Sequence, residues 1–96
     1  MPRIRSESIE AALVAEFIVV LDSGEEERFD ASIAVPDPAI PGNVIFEYDV
    51  TGVPVGNHTI SIGADNGWET TWGTPNPLAF MRPVPIPVFG ISLVLG

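Results

Sequence analysis

His58 is the only histidine in the chain, cysteine is absent, and all four cationic side chains are arginines. Those residue types limit the chemistry at once. A lone histidine makes no nucleophilic dyad without a placed serine or cysteine, and no Gly-x-Ser-x-Gly elbow occurs. Its expected part is structural, as a corner residue hydrogen-bonded to backbone. Asp22, Glu25, Glu26 and Glu27 could offer oxygens to calcium, but they lack the alternating Asp/Asn spacing and the glycine of a calcium loop. A solvated hairpin tip is the simpler reading. Glycoside hydrolysis needs two carboxylates opposed across a cleft. Glu47 and Asp49 instead share one face of a strand, side by side. No enzyme activity, cofactor or bound metal is expected.

The aromatic residues carry more. An exposed tryptophan stacks on sugar rings or anchors a protein interface. Trp68 follows the Asn66-Gly67 turn and is expected to close the open end of the core. Trp72 stands before Gly73 in a stretch rich in threonine and proline, and an interface anchor is expected there. In the C-terminal stretch, Phe89, Ile91, Leu93 and Leu95 alternate with Val88, Gly90, Ser92 and Val94, so both faces are apolar. Such a strand must be covered on both sides, either centrally or by another subunit. Docking or β-augmentation between subunits would supply that cover.

Composition narrows the partners. The 96 residues carry a net charge of −9. That balance repels a phosphate backbone, whose binding needs Lys/Arg to displace counterions, and disfavours an anionic membrane surface. No apolar run reaches the roughly 18–20 residues that span a bilayer. "AALVAEFIVVL" is broken by Glu16, and Arg3 and Arg5 are followed by Glu7 and Glu10, so no signal peptide is read. The sequon Asn57-His58-Thr59 is then a chance match. Without cysteine, neither disulfides nor thiolate metal sites can support a small core. Ten prolines and nine glycines alongside 46% hydrophobic residues indicate short strands and many turns.

These residues must be positioned by strands. Residues 1–10 are polar and mixed in charge and are expected to form an N-terminal arm. Val14 to Leu21 is rich in β-branched residues and reads as the first strand, closed by the turn Asp22-Ser23-Gly24. In the return strand Phe29, Ala31 and Ile33 point inward. "PDPAIPGN" is a loop or an edge, because proline removes ladder donors. Val44, Phe46, Tyr48 and Val50 alternate inward, as do His58, Ile60, Ile62 and Ala64. Pro54 and Gly56 form the connection between them. After Asn66-Gly67 comes the strand "PLAFM", and residues 84–96 form a proline-rich lead and a last strand. Six to seven strands with turns about every 8–12 residues predict one antiparallel sandwich domain over residues 1–96.

The stretch "GVPVGNHTISIGADNGWETTWGTPNPLAF" resembles a fibronectin type III or immunoglobulin-like module. Pro54 and Gly56 occupy the connection, His58 stands where the corner tyrosine would be, Ala64 and Asn66 match, and Pro75 or Pro77 matches the exit to the final strand. Trp68 replaces the usual bend residues. A closer likeness is to short fibronectin-like proteins of tailed bacteriophages and prophages, carried by "DVTGVPVGNHT" (Asp49 to Thr59) and "ADNGWETTWG" (Ala64 to Gly73). It covers the chain from about Phe17 onward. The usual first strand and its core tryptophan are missing near the N-terminus, while the C-terminus looks like an opening strand. Either the strand order is permuted or the tail pairs with a neighbour. The resemblance implies an immunoglobulin/fibronectin type III-like fold and a structural role in a virion, as capsid decoration, cement or minor component. Partners would be capsid or tail proteins or further copies of the chain, with no nucleic acid and no membrane. The alternative is a carbohydrate or cell-surface binding module that uses Trp68 and Trp72.

Overall fold

A computed structural model describes residues 3–74 and 76–82 and the backbone of residues 88–89. Among the described residues eleven strands follow one another: β1 (Arg3–Ser6), β2 (Ile9–Glu10), β3 (Glu16–Leu21), β4 (Glu26–Asp30), β5 (Val35–Pro36), β6 (Asn43–Ile45), β7 (Glu47–Asp49), β8 (Gly56–Asp65), β9 (Thr70–Trp72), β10 (Leu78–Arg82) and β11 (Val88–Phe89). The protein is all-β; among the described residues the helical content is two single-turn 3-10 segments, at Ala11–Leu13 and Ala31–Ile33.

The larger sheet runs β10-β8-β3-β4, and β9 extends it beside the far half of β8. All its pairs are antiparallel. Its centre is β3, "EFIVVL", where β-branched and aromatic residues fit a pleated, covered surface. The β3–β4 turn has Asp22 and Ser23 at φ 50° and 56°, the left-handed pair whose twist suits a tight hairpin. Ten-residue β8 meets no turn signal until Asn66-Gly67, where Gly67 takes φ 99°.

The other layer is built from two small sheets, β11-β1-β7 and β2-β6-β5. They read as one bent ladder. Arg5 faces Glu47 and Ile9 faces Val44, so the N-terminal strand takes four steps where its partner takes three. This extra residue is a bulge, and a bulge bends a strand. Ser6, buried at the break, holds it: its N–H donates to Phe46 O at 2.8 Å, and its Oγ accepts from Phe46 N–H at 2.9 Å. Pairs in this layer are antiparallel except β1 with β11, which is parallel.

The core lies between the layers. Phe17, Val19, Ile60 and Ile62 from the large sheet meet Ile4, Ile9, Phe46 and Val50 from the ladder in one cluster. Phe17 and Phe46 stack with ring centroids 4.5 Å apart and planes 13° from parallel.

Several expectations are corrected. Of the expected arm at residues 1–10, residues 3–10 are not an arm, because Ile4 and Ile9 stand among polar or charged neighbours and enter the core. Their polarity belongs to the solvent face of a half-buried strand. The return strand ends at Asp30, whose carboxylate accepts from Ser32 N–H at 2.9 Å and turns the chain, leaving Ile33 exposed. "VIFEYDV" is two strands parted at Phe46, not one. Thr70–Trp72, in the stretch rich in threonine and proline where no strand was expected, pairs with β8 as a strand. More and shorter strands are present than the six to seven expected. Of the C-terminal residues, Ile91, Leu93 and Leu95 lie outside the described residues, as do the side chain of Phe89 and most of the lead from residue 84.

The N-terminal strand is therefore structural. Ile4→Ala should lower unfolding stability by about 2–5 kcal/mol, as expected for emptying a closed core site, measured by urea titration. A loss under about 0.5 kcal/mol would mean that the first strand does not pack there.

Candidate functional site

The chain's one histidine sits at the start of β8, at the corner where the loop from β7 enters the large sheet. His58 Nδ1 lies 2.7 Å from Asp22 Oδ2, and Nε2 lies 2.8 Å from Pro54 O. Both partners are acceptors, so the ring satisfies both only with hydrogen on each nitrogen, as imidazolium. Its pKa is raised above the ordinary 6.5, chiefly by the Asp22 hydrogen bond and then by the Pro54 carbonyl. Phe80 stacks beneath the ring at 5.6 Å. His58 thus reaches back to a backbone carbonyl four residues upstream.

Asp22 makes this corner a three-way junction. Its Oδ1 accepts from Thr59 N–H at 2.9 Å, and its own N–H donates to Thr59 O at 2.7 Å. The Thr59 backbone bond, followed by the His58 bond, holds the Asp22 carboxyl below its ordinary value of 3.8. The β3–β4 hairpin tip is thus fastened to β8 and to the Pro54 loop. Beside it, Arg82 at the end of β10 donates to Val50 O, Thr51 O and Val53 O. Neither partnership was visible in the sequence. The only cue was a turn aspartate and a single cation closing a strand.

The remaining arginines are also engaged. Arg3 and Arg5 both pair with Glu47, and Arg28 with Glu16, Glu26 and Asp65. Three of the four arginines are thus paired with carboxylates and the fourth, Arg82, is held by backbone carbonyls, so no cluster of free cations of the kind a polyanion needs is seen among the described residues.

The second site is Trp72, which stands on the outer face of the large sheet. In cross-strand register it lies opposite Gly63, which lies opposite Ile18, which lies opposite Arg28. A Cβ at Gly63 would stand 2.9 Å from Thr70 Cγ2 and 3.0 Å from Trp72 Cε3. Glycine there lets the indole lie down on the strand. Trp72 is half-buried and borders a shallow cavity of about 220 Å³ with Val20, Glu26, Ser61 and Asn76. A larger cleft of about 460 Å³ opens on the same face, bordered by Asp22, Asn57, Thr59, Ala79 and Met81, with His58 and Phe80 reaching it from the corner.

The third site is Trp68, and here the expectation of a core-closing residue is corrected. Trp68 is 92% exposed. Asn66 Oδ1 accepts from both Trp68 N–H and Glu69 N–H at 2.9 Å, and Asp65 Oδ1 accepts from Gly67 N–H at 2.8 Å. These side-chain-to-backbone bonds make a stiff tip that carries the indole outward. Asn66 and Gly67 behave as the expected turn, whereas Phe17 and Phe46 fill the core.

Among the described residues no cluster of three or more potential ligands could hold a metal, and no helix is long and apolar enough to cross a membrane. The chain matches no protein-family model, no curated protein and no solved structure.

The Asp22–His58 junction makes stability pH-dependent in a defined direction. Below pH 6.5 the histidine is charged in both folded and unfolded chains, so its contribution is fully present. As pH rises past 6.5 the unfolded chain loses its proton first, and the contribution is gone above the raised folded-state value. Asp22, with its lowered pKa, stabilises above 3.8 and loses that effect as pH falls through the folded-state value. The melting temperature should fall as pH rises from 6.5 through the raised folded-state value of the histidine, and His58→Ala should flatten that fall. An equal slope in the variant would show that the junction does not titrate.

Proposed function

We propose that the chain is an immunoglobulin/fibronectin type III-like sandwich and a non-enzymatic structural protein of a tailed-phage particle, where it docks as decoration, cement or minor virion component. Strand order supports the fold. The sheet β4-β3-β8-β10 follows the C′-C-F-G order of such modules, and the ladder β5-β6/β7-β1/β2-β11 follows D-E-B-A. The chain's last described strand then takes the place of the first, as a permuted order would require, although it pairs in parallel. His58 stands at the start of F and bonds upstream backbone, the part a corner tyrosine plays. The phage setting rests on the resemblance of "DVTGVPVGNHT" and "ADNGWETTWG".

The observation that carries docking is Trp68. A tryptophan held almost wholly in solvent by a stiff turn loses little entropy on burial and is the residue type that most often anchors an interface. Its surroundings suit that role. Asp30, Glu16 and Asp65 form one row across the sheet, so the Ala31–Ile33 turn and the Trp68 hairpin leave from the same end. Ile33 there is 54% exposed, and Ile40, in the neighbouring loop, is 47% exposed. Acidic strands elsewhere keep the rest of the molecule in water.

Incorporation of the protein into purified particles, read by quantitative mass spectrometry, tests this. Trp68→Ala should reduce incorporation by roughly tenfold or more while leaving the melting temperature within about 2 °C of wild type. Wild-type incorporation of that variant would sink docking through this end.

A further inference from the structure

The outer face of the large sheet carries a trough between the two cavities described above. Along β8 the outward residues are Asn57, Thr59, Ser61 and Gly63. In register beside them on β10, Ala79 faces Thr59 and Met81 faces Asn57. The floor is thus made of small or short side chains for about 20 Å, the length of six strand steps. Met81 stands at one end and the indole of Trp72 at the other, lying flat over Gly63. Glu26 borders the Trp72 end and Asp22 the other.

We propose that this trough binds a linear neutral oligosaccharide, with Trp72 as the stacking platform. Three observations select that chemistry. The backbone of β8 is paired on both sides, with β3 and with β10 or β9. A ligand on this face therefore meets side chains only, and an extended peptide finds no ladder to join. Those side chains are hydroxyl, amide and carboxylate groups beside one flat aromatic, the set that matches hydroxyls on an apolar sugar ring. Ser61 Oγ donates to Asn76 Oδ1 at 2.5 Å, which fixes the amide so that its NH₂ is the group left to donate. The flanking carboxylates Asp22 and Glu26 disfavour polyanions, so an uncharged chain is the glycan accepted.

The floor also sets the ligand's shape. With no bulky side chain between Met81 and Trp72, a straight polymer of several pyranose rings lies along β8, and a single sugar reaches only the indole. Affinity must then grow with chain length. This site stands apart from the Trp68 end, and it stands or falls independently of docking there.

Titration calorimetry on the full chain tests the inference, using hexasaccharides and disaccharides of β-1,4-linked glucose, mannose and N-acetylglucosamine. At least one hexasaccharide should bind, and more tightly than its disaccharide. Trp72→Ala should weaken it roughly tenfold or more, and Trp68→Ala should leave it unchanged. Because Trp72 also covers Gly63, a second variant, Ala79→Arg, blocks the trough from an exposed position and should abolish binding without lowering the melting temperature. The inference is overturned if no hexasaccharide binds wild type, if Ala79→Arg binds like wild type, or if Trp68→Ala loses binding instead. Preferential binding of heparin or of an extended neutral peptide would overturn it as well.

Discussion

The stack of Phe17 on Phe46 is the contact on which the rest of this structure depends. Phe17 belongs to the central strand of the large sheet, and Phe46 is the residue at which the opposing ladder breaks. Bringing the rings together fixes the spacing of the layers and aims the bulge at Ser6. Phe29 and Tyr48 then extend the aromatic packing outward from Phe46 toward β4. A domain this short leaves a large share of its surface in water, so one misplaced ring at that point would loosen both layers together.

Around that core, short side chains fasten turns to strands. Asp22, Asp30, Asp37, Asp49, Asp65 and Asn66 each accept from a backbone N–H nearby or across a strand. Arg82 performs the converse task, donating to three carbonyls of one turn. These bonds do in a cysteine-free chain part of what disulfides do in other small domains, since they limit the freedom of loops. They also explain why so acidic a sequence folds: many of its carboxylates are ligands of the backbone and not merely surface charge.

Much of the all-β reading was legible because alternation survives in sequence. Ile60, Ile62 and Ala64 announced the face of β8, and Asn66-Gly67 announced its end. Three features were hidden for physical reasons. The N-terminal strand looked like an arm because alternate residues are charged and solvent-facing, so its few apolar positions were outnumbered. Phe46 looked like one step of a strand, since a change of sheet leaves no trace in periodicity. Trp68 looked like core because size and hydrophobicity say nothing of direction, and direction was set by the Asx turn of Asn66. The His58 corner was legible, but its Asp22 partner was not, because the two lie far apart in sequence.

The bulge between β1 and β2 bears on how such a chain can drift. Side chains alternate faces along a strand, so any change in residue number between Ile4 and Ile9 matters by its parity. Ile4 and Ile9 are five residues apart and share the core face only because of the bulge. Losing one residue would leave a spacing of four, which keeps both inward in a regular ladder and removes the bend. Losing or gaining two would leave the spacing odd, and one isoleucine would then turn toward water unless a bulge were kept. Each change of length here therefore decides whether a bulge is required, whereas the loop after Pro36, outside both ladders, carries no such rule.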